Sequence, residues 1–401
     1  MKVLYIHQYF QIPRDSGATR SYWFAKKLVD NGIKVTMLTS TNKHFPEAGH
    51  VDIEGIDVLY VKNAYSQYFS KARKVYSFVK FVVQAIWNGK KQKDVDLMYA
   101  TSTPLTIGFI ALVLHKLKGW PYIFEVRDLW PEFPIQIGAI RNGLAIKMLR
   151  KLERAIYKNA VHVVALSPGM EDGVLKCGTP KEKVTMIPNM SKPDLFFPRE
   201  KNDEDYEKYG IDKTKFNVVH AGAMGVANGL GYIIEAADIL QNKMHDDSIH
   251  FVFAGGGATQ PMLEKMVSER GLKNVRFLGY FNTQGISDVM NLCDMSIVSF
   301  KNLPILYTNS PNKLFDSLSA GLPIIVNSAG WTKGIAEDEH CGIFVDPEHP
   351  EELAQKLIDI RDKKDVLKVM GENARRLSLE KFDKSILSEK FFQVVKAHLP
   401  S

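Results

Sequence analysis

The sequence predicts an α/β protein built from two doubly wound domains in tandem. Short runs of Val, Ile and Leu recur along the chain, and helical segments separate them. Nearly continuous apolar runs of this kind are typical of parallel strands that are buried on both faces of a sheet. The chain has 401 residues, of which 45% are hydrophobic, so it is too long for one ordinary core.

Thirteen apolar runs predict the strands, and a polar stretch divides them into two sets. The first set is KVLYIH, IKVTMLTS, IDVLYVK, VDLMYATS, YIFEVRD, AVHVVALS and VTMIPN. The second set is FNVVHAGA, IHFVFAGGG, VRFLGY, MSIVSF, PIIVNS and GIFVDP. The charged, proline-containing stretch 191–215 between them is typical of a linker. We therefore expect domains at 1–199 and 200–381, and a C-terminal helix at 382–401 with the option of packing back on the first domain.

The charge is unevenly distributed along a chain whose formal net charge is +7. Residues 1–199 contain 29 Lys and Arg against 16 Asp and Glu, whereas residues 200–401 contain 23 against 29. A basic first half predicts a polyanionic partner, either nucleic acid or an anionic membrane surface.

Cysteine spacing and apolar run length predict the compartment. The three cysteines lie far apart, which favours a reducing environment and argues against a zinc or disulfide framework. The opening MKVLYIHQYF reads as a first strand and not as a signal peptide. No apolar run reaches the roughly 18 residues that span a bilayer. A cytoplasmic protein is expected.

The stretch NSPNKLFDSLSAGLPII at 309–325 predicts a helix that binds an anion. Ser310 would be the N-cap and Pro311 the first helical residue. Unpaired N–H groups at a helix start attract anions, and Lys313 adds a full positive charge. Asp316 lies one turn further, where it could accept hydrogen bonds from hydroxyls. This pattern favours a nucleotide, with its diphosphate at the helix start and its ribose at Asp316. The alternative is an ordinary capped helix with a solvated Asp.

Glycine-containing turns after several strands suggest further phosphate contacts. Gly17 precedes a helix that has Arg20 in its first turn, and Gly222 opens the corresponding turn HAGAMGVANGL in the second domain. A third turn, AGGGATQP, follows the next strand. None of them matches GxGxxG, so a dehydrogenase is disfavoured. Three such turns at strand ends favour a sugar-nucleotide site.

Five motifs together resemble the family 4 retaining glycosyltransferases, which have two Rossmann-like domains in the GT-B arrangement. They are SPNKLFDSLSAGLPIIV, HAGAMGVANGL, RFLGY, IPNMSKPDLFFP and EVRDLWPE. The resemblance covers nearly the whole chain. It is strongest to the bacterial enzymes that build O-antigen, capsule or other surface glycans, including the WbuB-like enzymes.

The resemblance implies a role for particular residues. Asp316 would bind the nucleotide ribose, and Gly279 and Tyr280 would lie near the base. The diphosphate would bind at the helix start, with Gly17, Arg20 and Gly222 nearby; the helix start comprises Ser310, Pro311, Asn312, Lys313 and Leu314. Arg127 and Asp128 would lie at the sugar side of the cleft and, with Lys313, form the catalytic group.

The chain departs from the common family pattern at several positions. Thr308 stands where many members have Glu, and Arg127 stands where a His often precedes the Asp. The usual Arg and Lys after the second domain's first strand are Ala223 and Asn228. Stabilisation of a leaving diphosphate is usually the largest electrostatic contribution in such a reaction. We expect Lys313, Arg20 and Arg127 to supply the missing charge.

The sequence predicts no metal site and no cofactor. The acidic motifs at 94–96 and 203–205 open a strand and lie in the linker, respectively, where solvated acids are the simpler interpretation. A helix start with Lys and Arg can neutralise a diphosphate without magnesium.

The segment 62–93 predicts contact with an anionic membrane surface. It contains eight Lys and Arg and no acid, with aromatic residues between them. One helical face would carry Val75, Phe78, Val79, Val82, Val83, Ile86 and Trp87. The alternative is that this face packs on the first sheet. Nucleic acid would fit the charge, but no recognised nucleic-acid module is present, so it is not expected as a partner.

The resulting prediction is a glycosyltransferase that transfers a sugar with retention from a nucleoside-diphosphate donor to a polyprenyl-diphosphate-linked sugar acceptor. UDP is the expected nucleotide, and an N-acetylated amino sugar is one candidate. The enzyme would be peripheral on the inner face of the cytoplasmic membrane and act in bacterial surface glycan synthesis. The alternatives are a UDP-sugar 2-epimerase and, given Thr308, Ala223 and Asn228, an inactive sugar-nucleotide-binding scaffold.

Overall fold

The computed structural model describes residues 1–13, 17–63 and 69–400, and of Lys71 the backbone alone. It contains two compact units. The first comprises Met1–Pro13, Ala18–Pro188 and the segment that begins at Ser385, and the second contains Asn189–Lys384. Each unit has a largely parallel sheet flanked by helices, which confirms the predicted pair of doubly wound α/β domains.

The first unit alternates strands and helices along the chain. Its elements are β1 Lys2–Ile6, α1 Arg20–Asp30, β2 Lys34–Ser40, β3 Gly49–Ile53, β4 Ile56–Val61, α2 Lys71–Gly89, β5 Leu97–Thr101, α3 Thr106–Lys118, β6 Tyr122–Val126, α4 Glu132–Gln136, α5 Gly143–Asn159, β7 His162–Ala165, α6 Pro168–Lys176 and β8 Val184–Met186.

The first sheet has the strand order β3-β4-β2-β1-β5-β6-β7-β8. All neighbouring strands are parallel except β3, which pairs antiparallel with β4. Glu54 and Gly55 make the turn between them with φ angles of 52° and 86°. Positive φ at both turn positions is typical of a tight hairpin. The sequence did not predict β3, because GHVDI is a mostly exposed edge strand without an apolar run.

The second unit repeats the alternation. Its elements are α7 Asp203–Tyr209, β9 Phe216–Ala221, α8 Gly231–Asp238, β10 Ile249–Ala254, α9 Gln260–Glu269, β11 Val275–Gly279, α10 Thr283–Leu292, β12 Met295–Val298, α11 Asn312–Ser319, β13 Ile324–Val326, α12 Trp331–Asp338, β14 Gly342–Phe344, α13 Pro350–Arg361 and α14 Lys364–Glu380. The strands form a parallel sheet in the order β11-β10-β9-β12-β13-β14.

Both faces of the second sheet are buried. Val218 and Phe251 belong to one apolar cluster, and their neighbours Val219 and Val252 belong to the other. Successive side chains of a strand point to opposite faces, so a strand covered on both sides needs apolar residues at consecutive positions. This explains why VV and FVF runs predicted the strands.

The stretch expected to be a linker is an ordered part of the second unit. The Ser191 hydroxyl donates to the Phe315 carbonyl oxygen, and the Arg199 guanidinium lies 2.9 Å from Asp288. The division between the units falls at Pro188, eleven residues before the boundary expected from composition.

The last helix, α15 at Lys384–Lys396, lies almost entirely in the first unit. Its Phe391 is fully buried, and the Phe391 ring stacks on that of Phe24 with the centroids 4.1 Å apart. Phe391 also meets Tyr99 of β5 edge to face. The first unit is therefore built from two separate parts of the chain.

Candidate functional site

In the second sheet, the strand order reverses at β9, which lies between β10 and β12. Connections that leave the carboxyl ends of the strands on either side of such a point diverge, and ligands of open α/β sheets bind in the crevice between them. The turn after β9 and the start of α11, which follows β12, are both parts of this region. The predicted anion-binding residues of the second unit therefore lie at the expected place in the fold.

Two glycine turns meet closely at this edge. Gly222 has φ 127° and Gly255 has φ 135°. A Cβ atom added at Gly255 would lie 2.1 Å from the Gly222 carbonyl oxygen, and one at Gly257 would lie 2.5 Å from that of Met224. The Gly222 N–H donates to the Ala254 carbonyl oxygen at 2.8 Å. Glycine is required here because backbone packs directly on backbone.

Helix α11 begins two residues after Ser310, and this corrects the predicted cap. Pro311 occupies the cap position with extended backbone and offers no capping side chain. The Ser310 hydroxyl instead accepts the Asn189 N–H at 3.1 Å. No described side chain caps the first turn, so its N–H groups at Asn312 and Lys313 keep the partial positive charge of a helix start.

Lys313 is the charged side chain at this helix start. Its Nζ lies 3.4 Å from Nε2 of His220 at the end of β9, and its stem passes Gly222. Among the described residues, no carboxylate lies within ion-pair distance of Lys313. Burial lowers the pKa of Lys313 to about 7. Burial and the neighbouring Lys313 also hold the pKa of His220 well below its ordinary value. The described part of the protein therefore provides no carboxylate of its own to stabilise the charged form of Lys313.

Asp316 is paired with a lysine that the sequence did not single out. Its Oδ1 lies 2.8 Å from Nζ of Lys192, whose side chain is 6% exposed. The Lys192 N–H donates to the Ser319 hydroxyl at 3.0 Å, which fixes the lysine beside α11. Burial raises the pKa of Asp316, and Lys192 partly offsets that rise. Lys192 is the basic residue of the motif IPNMSKPDLFFP. Its position in that motif could have identified it from the sequence as a candidate site residue.

Gly279 and Tyr280 close β11 at the same edge of the sheet. The Gly279 carbonyl oxygen accepts the Gly255 N–H at 2.7 Å. The Tyr280 ring lies over Gly256, where an added Cβ atom would come within 2.5 Å of it. Tyr280 is 64% exposed, which places an aromatic residue in contact with solvent at this edge of the sheet.

The structure also shows the contacts of one further predicted site residue of the second unit and of two residues that differ from the common family pattern. The Leu314 side chain is fully buried, and its N–H donates to the Pro311 carbonyl oxygen, which favours a packing role. The Thr308 hydroxyl donates to the Ile305 carbonyl oxygen at 2.7 Å. The Asn228 side chain accepts the Gly225 N–H at 3.1 Å. Neither Thr308 nor Asn228 brings a charge to the α11 start.

In the first unit, polar side chains gather where the strand order reverses around β1. Arg127 and Asp128 follow β6; an Arg127 Nη lies 3.4 Å from Nε2 of His7, and Asp128 accepts the Thr103 hydroxyl at 2.8 Å. Burial raises the pKa of Asp128, and Thr103 and Arg127 partly offset that rise. Gln8 is 1% exposed, and neither atom of its side-chain amide has a partner in the described part of the chain. His7 and Gln8 were not predicted, although both directly follow the first apolar run.

Arg20 lies in the interior of the first unit, with 1% of its surface exposed. Its guanidinium is 2.9 Å from Glu125 and also donates to the carbonyl oxygens of Ile187 and Pro188. Burial alone would raise the pKa of Glu125, but Arg20, Arg127 and two hydroxyl donors hold it below its ordinary value. These contacts favour a structural role for Arg20 over a contact with donor phosphate. Gly17 is exposed with φ 130°, and its expected phosphate contact stays a prediction.

Within residues 1–13, 17–63 and 69–400, no group of three His, Cys, Asp or Glu side chains is arranged to hold a metal ion. None of the helices in these ranges combines the length and the apolar character needed to cross a bilayer.

Two family models match the chain, one in each unit. A glycosyl transferase 4-like domain model matches residues 17–190, and a glycosyl transferases group 1 model matches residues 201–377.

Two curated relatives are similar to this chain over little more than half of its length. Alpha-D-kanosaminyltransferase of Streptomyces kanamyceticus is 26% identical over 238 residues, which is 58% of this chain and 59% of that protein. The putative colanic acid biosynthesis glycosyl transferase WcaI of Escherichia coli is 24% identical over 226 residues, 55% of this chain and 54% of the relative. The matched part thus spans little more than half the length of these relatives.

The solved structure of HepE from Anabaena, in complex with UDP and glucose, shares the fold. It superposes with a TM-score of 0.73 over 99% of this chain and 100% of that chain, at 16% identity. At this identity the likeness concerns the fold alone. Because the glycosyl transferase 4-like model and the glycosyl transferases group 1 model together match most of the chain, this protein is a glycosyltransferase built from these two domain families, and its fold is GT-B.

Proposed function

We propose that the protein transfers a sugar from a UDP-sugar to a polyprenyl-diphosphate-linked sugar, with retention of the anomeric configuration, in bacterial surface glycan synthesis. The bond between the anomeric carbon and the diphosphate oxygen breaks, and UDP leaves with the electron pair. A hydroxyl of the acceptor forms the new glycosidic bond on the same face of the sugar, and its proton passes to a diphosphate oxygen of the departing UDP. N-acetylated amino sugars are the first donor class to test.

The observation that carries the proposal is the start of α11. Uncapped backbone N–H groups and a buried lysine without a carboxylate partner converge at the carboxyl edge of the sheet. A diphosphate would supply the missing negative charge, and its charge grows as the glycosidic bond breaks. Lys313 therefore has the role of stabilising the leaving group.

The other residues have roles that follow from their positions. Asp316 would accept hydrogen bonds from the ribose hydroxyls, and the exposed ring of Tyr280 would stack on the base. Arg127 and Asp128, with the unpartnered Gln8 amide, would bind the transferred sugar or the acceptor. HepE was solved with UDP and glucose, which supports UDP as the nucleotide. The kanosaminyl and colanic acid relatives support amino sugars and surface glycans as substrate classes.

The acceptor and its location are inferred from the basic first unit. An acceptor linked to polyprenyl diphosphate is anionic and confined to the membrane, so an enzyme that uses it benefits from peripheral binding on the inner face. Nucleic acid is not part of the proposal.

A ligand panel tests the proposal directly. UDP-, GDP- and dTDP-sugars are added to the purified protein, and a UDP-sugar is expected to raise the melting temperature by mass action. Lys313→Ala should reduce turnover more than donor binding, because its contribution grows in the transition state. A rise in KM with unchanged kcat would instead indicate that Lys313 binds the substrate and the transition state equally well.

Product analysis separates the competing functions. Transfer to a polyprenyl-diphosphate-linked acceptor supports the proposal, whereas conversion of the UDP-sugar to its 2-epimer without an acceptor would identify the epimerase. Donor binding without turnover on any acceptor would identify a scaffold. Since no metal is proposed, transfer should continue in excess EDTA, and its loss would contradict a reaction supported by Lys313 and the helix start alone.

A further inference from the structure

Three helices of the first unit form a row with an unusual charge. Helix α2 packs against α3, and α3 packs against α5. Together these helices contain 11 Lys and Arg and a single acid, Glu153, which is buried. Of the ten cations whose side chains the structure describes, Arg150 alone has a carboxylate within ion-pair distance, that of Glu132. The charge of this row is therefore left almost uncompensated by the protein.

Exposed apolar side chains concentrate on the same helices. In the described part of the first unit, eleven large hydrophobic side chains are exposed, and nine of them lie on α2, α3 and α5. Leu144 and Met148 of α5 are 70% and 65% exposed, and Leu117 of α3 is 62% exposed. Monomeric proteins rarely group exposed apolar residues in this way unless the surface binds something.

Helix α2 shows the pattern in most detail. Three of the seven residues of its predicted apolar stripe are half-buried and the other four are exposed, so the alternative of packing on the sheet does not account for the whole stripe. The buried positions are Ser77, Phe81, Ala85 and Gly89, on the other side of the helix. Val75, Val79, Val83 and Trp87 are each more than half exposed and, at four-residue spacing, form a stripe about 18 Å long. Lys90 lies with its Nζ 3.7 Å from the centre of the Trp87 ring.

We propose that α2, α3 and α5 form a basic helical face that docks the protein on the surface of an anionic bilayer. Exposed Val, Leu and Met side chains would enter the boundary between headgroups and acyl chains, and the surrounding Lys and Arg would bind anionic headgroups. Trp and Tyr prefer this depth, which suits Trp87 and Tyr76. The helices lie on the surface and do not span the membrane.

The charge and the exposed apolar residues of this face together favour an anionic bilayer over a second copy of the chain or a nucleic acid. A second copy of the chain would bring the same uncompensated cations against each other, which costs free energy. Nucleic acid would satisfy the cations but would leave the aliphatic stripe of α2 exposed. An anionic bilayer satisfies both, because it offers headgroup charge and apolar depth at one surface.

This inference rests on the peripheral binding in the proposed function and deepens it by naming the face that makes the contact. Its test is separate from catalysis, because binding to lipid does not depend on turnover. Flotation with phosphatidylglycerol vesicles, compared with phosphatidylcholine vesicles, measures it at low and high salt. The wild-type protein should float with the anionic vesicles at low salt and much less at high salt, since salt screens the attraction. Binding to phosphatidylcholine should be weak.

Two variants test the two components of the face. Lys147→Glu with Lys151→Glu on α5 should reduce the partition onto anionic vesicles at least about tenfold at low salt. Val79→Asn with Val83→Asn on α2 should reduce partition at low and high salt alike, because apolar insertion is not screened. Lys265→Glu with Lys273→Glu in the second unit makes the same change of net charge and should leave binding near wild type. Circular dichroism and thermal unfolding without ligand confirm that every variant is folded.

Particular outcomes would overturn the inference. One is a wild-type protein that stays unbound with anionic vesicles at low salt. Another is an equal loss of binding in the Lys265/Lys273 control, which would show a response to net charge and not to this face. A dimer in sedimentation that Val79→Asn with Val83→Asn dissociates would identify an interface between copies. A wild-type protein that floats without any donor response would support the docking face and count against the proposed reaction.

Discussion

At Lys313, burial without a neighbouring carboxylate favours the neutral amine, and its pKa falls to about 7. A bound diphosphate favours the ammonium and would raise this pKa, so donor binding should take up a proton above pH 7. The affinity for a UDP-sugar should therefore fall as the pH rises from 7 to 9, by at most about tenfold per pH unit. Titration calorimetry at pH 8 in buffers of different ionisation enthalpy measures the proton uptake.

The control for this proton uptake is Lys313→Met, which should bind the donor more weakly and lose the pH dependence. Lys333→Met changes a half-buried lysine on α12 and should keep it. Equal proton uptake in Lys313→Met and wild type would place the titrating group elsewhere.

Asp316 and Lys192 should be energetically coupled, because each neutralises the other in a largely buried position. Removing one partner alone leaves an uncompensated charge, so Asp316→Ala should destabilise the second unit by about 3–5 kcal/mol. The double variant with Lys192→Met should recover most of that loss. Urea denaturation measures each member of the cycle.

Donor binding separates the proposed role of Asp316 in a ribose site from its role in the ion pair. The double variant should fold but give no thermal shift with a UDP-sugar, since no carboxylate remains for the ribose. A normal shift in this variant would make Asp316 purely structural.

At the scale of elements, the two interlocked glycine turns hold β9 and β10 at the carboxyl edge of the second sheet. Gly255→Ala would place Cβ against the Gly222 carbonyl oxygen at a φ of 135°. We expect a loss of about 2–4 kcal/mol in the free energy of unfolding of the second unit, because backbone must move. Denaturant unfolding measures it.

Gly271→Ala provides the matched control for this substitution. Gly271 also has positive φ, at 61°, but nothing lies within 4 Å of an added Cβ atom. It should cost about 1–2 kcal/mol, from the left-handed conformation alone. If the two variants lose equal stability, contact between the turns contributes nothing.

Elements were predictable where a single local pattern decides them. Each of the thirteen predicted strands is present, since consecutive apolar residues are required by burial on both faces. The edge strand β3 was not predicted, because its mostly exposed residues form no apolar run, although its partner β4 is adjacent in the chain. The start of α11 was not predicted because the bond from Asn189 to Ser310 joins residues 121 positions apart. For the same reason the pattern around Arg20 predicted a phosphate ligand: its partner Glu125 is 105 positions away.

At the scale of the molecule, the first unit depends on α15, which follows the second unit in the chain. Phe391→Ala should destabilise the first unit by about 3–5 kcal/mol, because a fully buried ring stacked on Phe24 is lost. Phe392→Ala, at a half-buried position of the same helix, should cost less. Thermal unfolding by calorimetry should show the transition of the first unit shifted and that of the second unchanged. Equal shifts of both transitions would mean that the units unfold together.

The position of α15 also has a consequence during protein synthesis. When Pro188 leaves the ribosome, the first unit still lacks the helix that covers Phe24 and Tyr99. At about 5–20 residues per second, the 190 or so residues that follow take roughly 10–40 s to translate. The second unit is itself completed only at Lys384, where α15 begins, so the first unit exposes aromatic surface throughout that interval. We therefore expect chaperones to bind the segment made first, and its folding to finish only after almost the whole chain has been made.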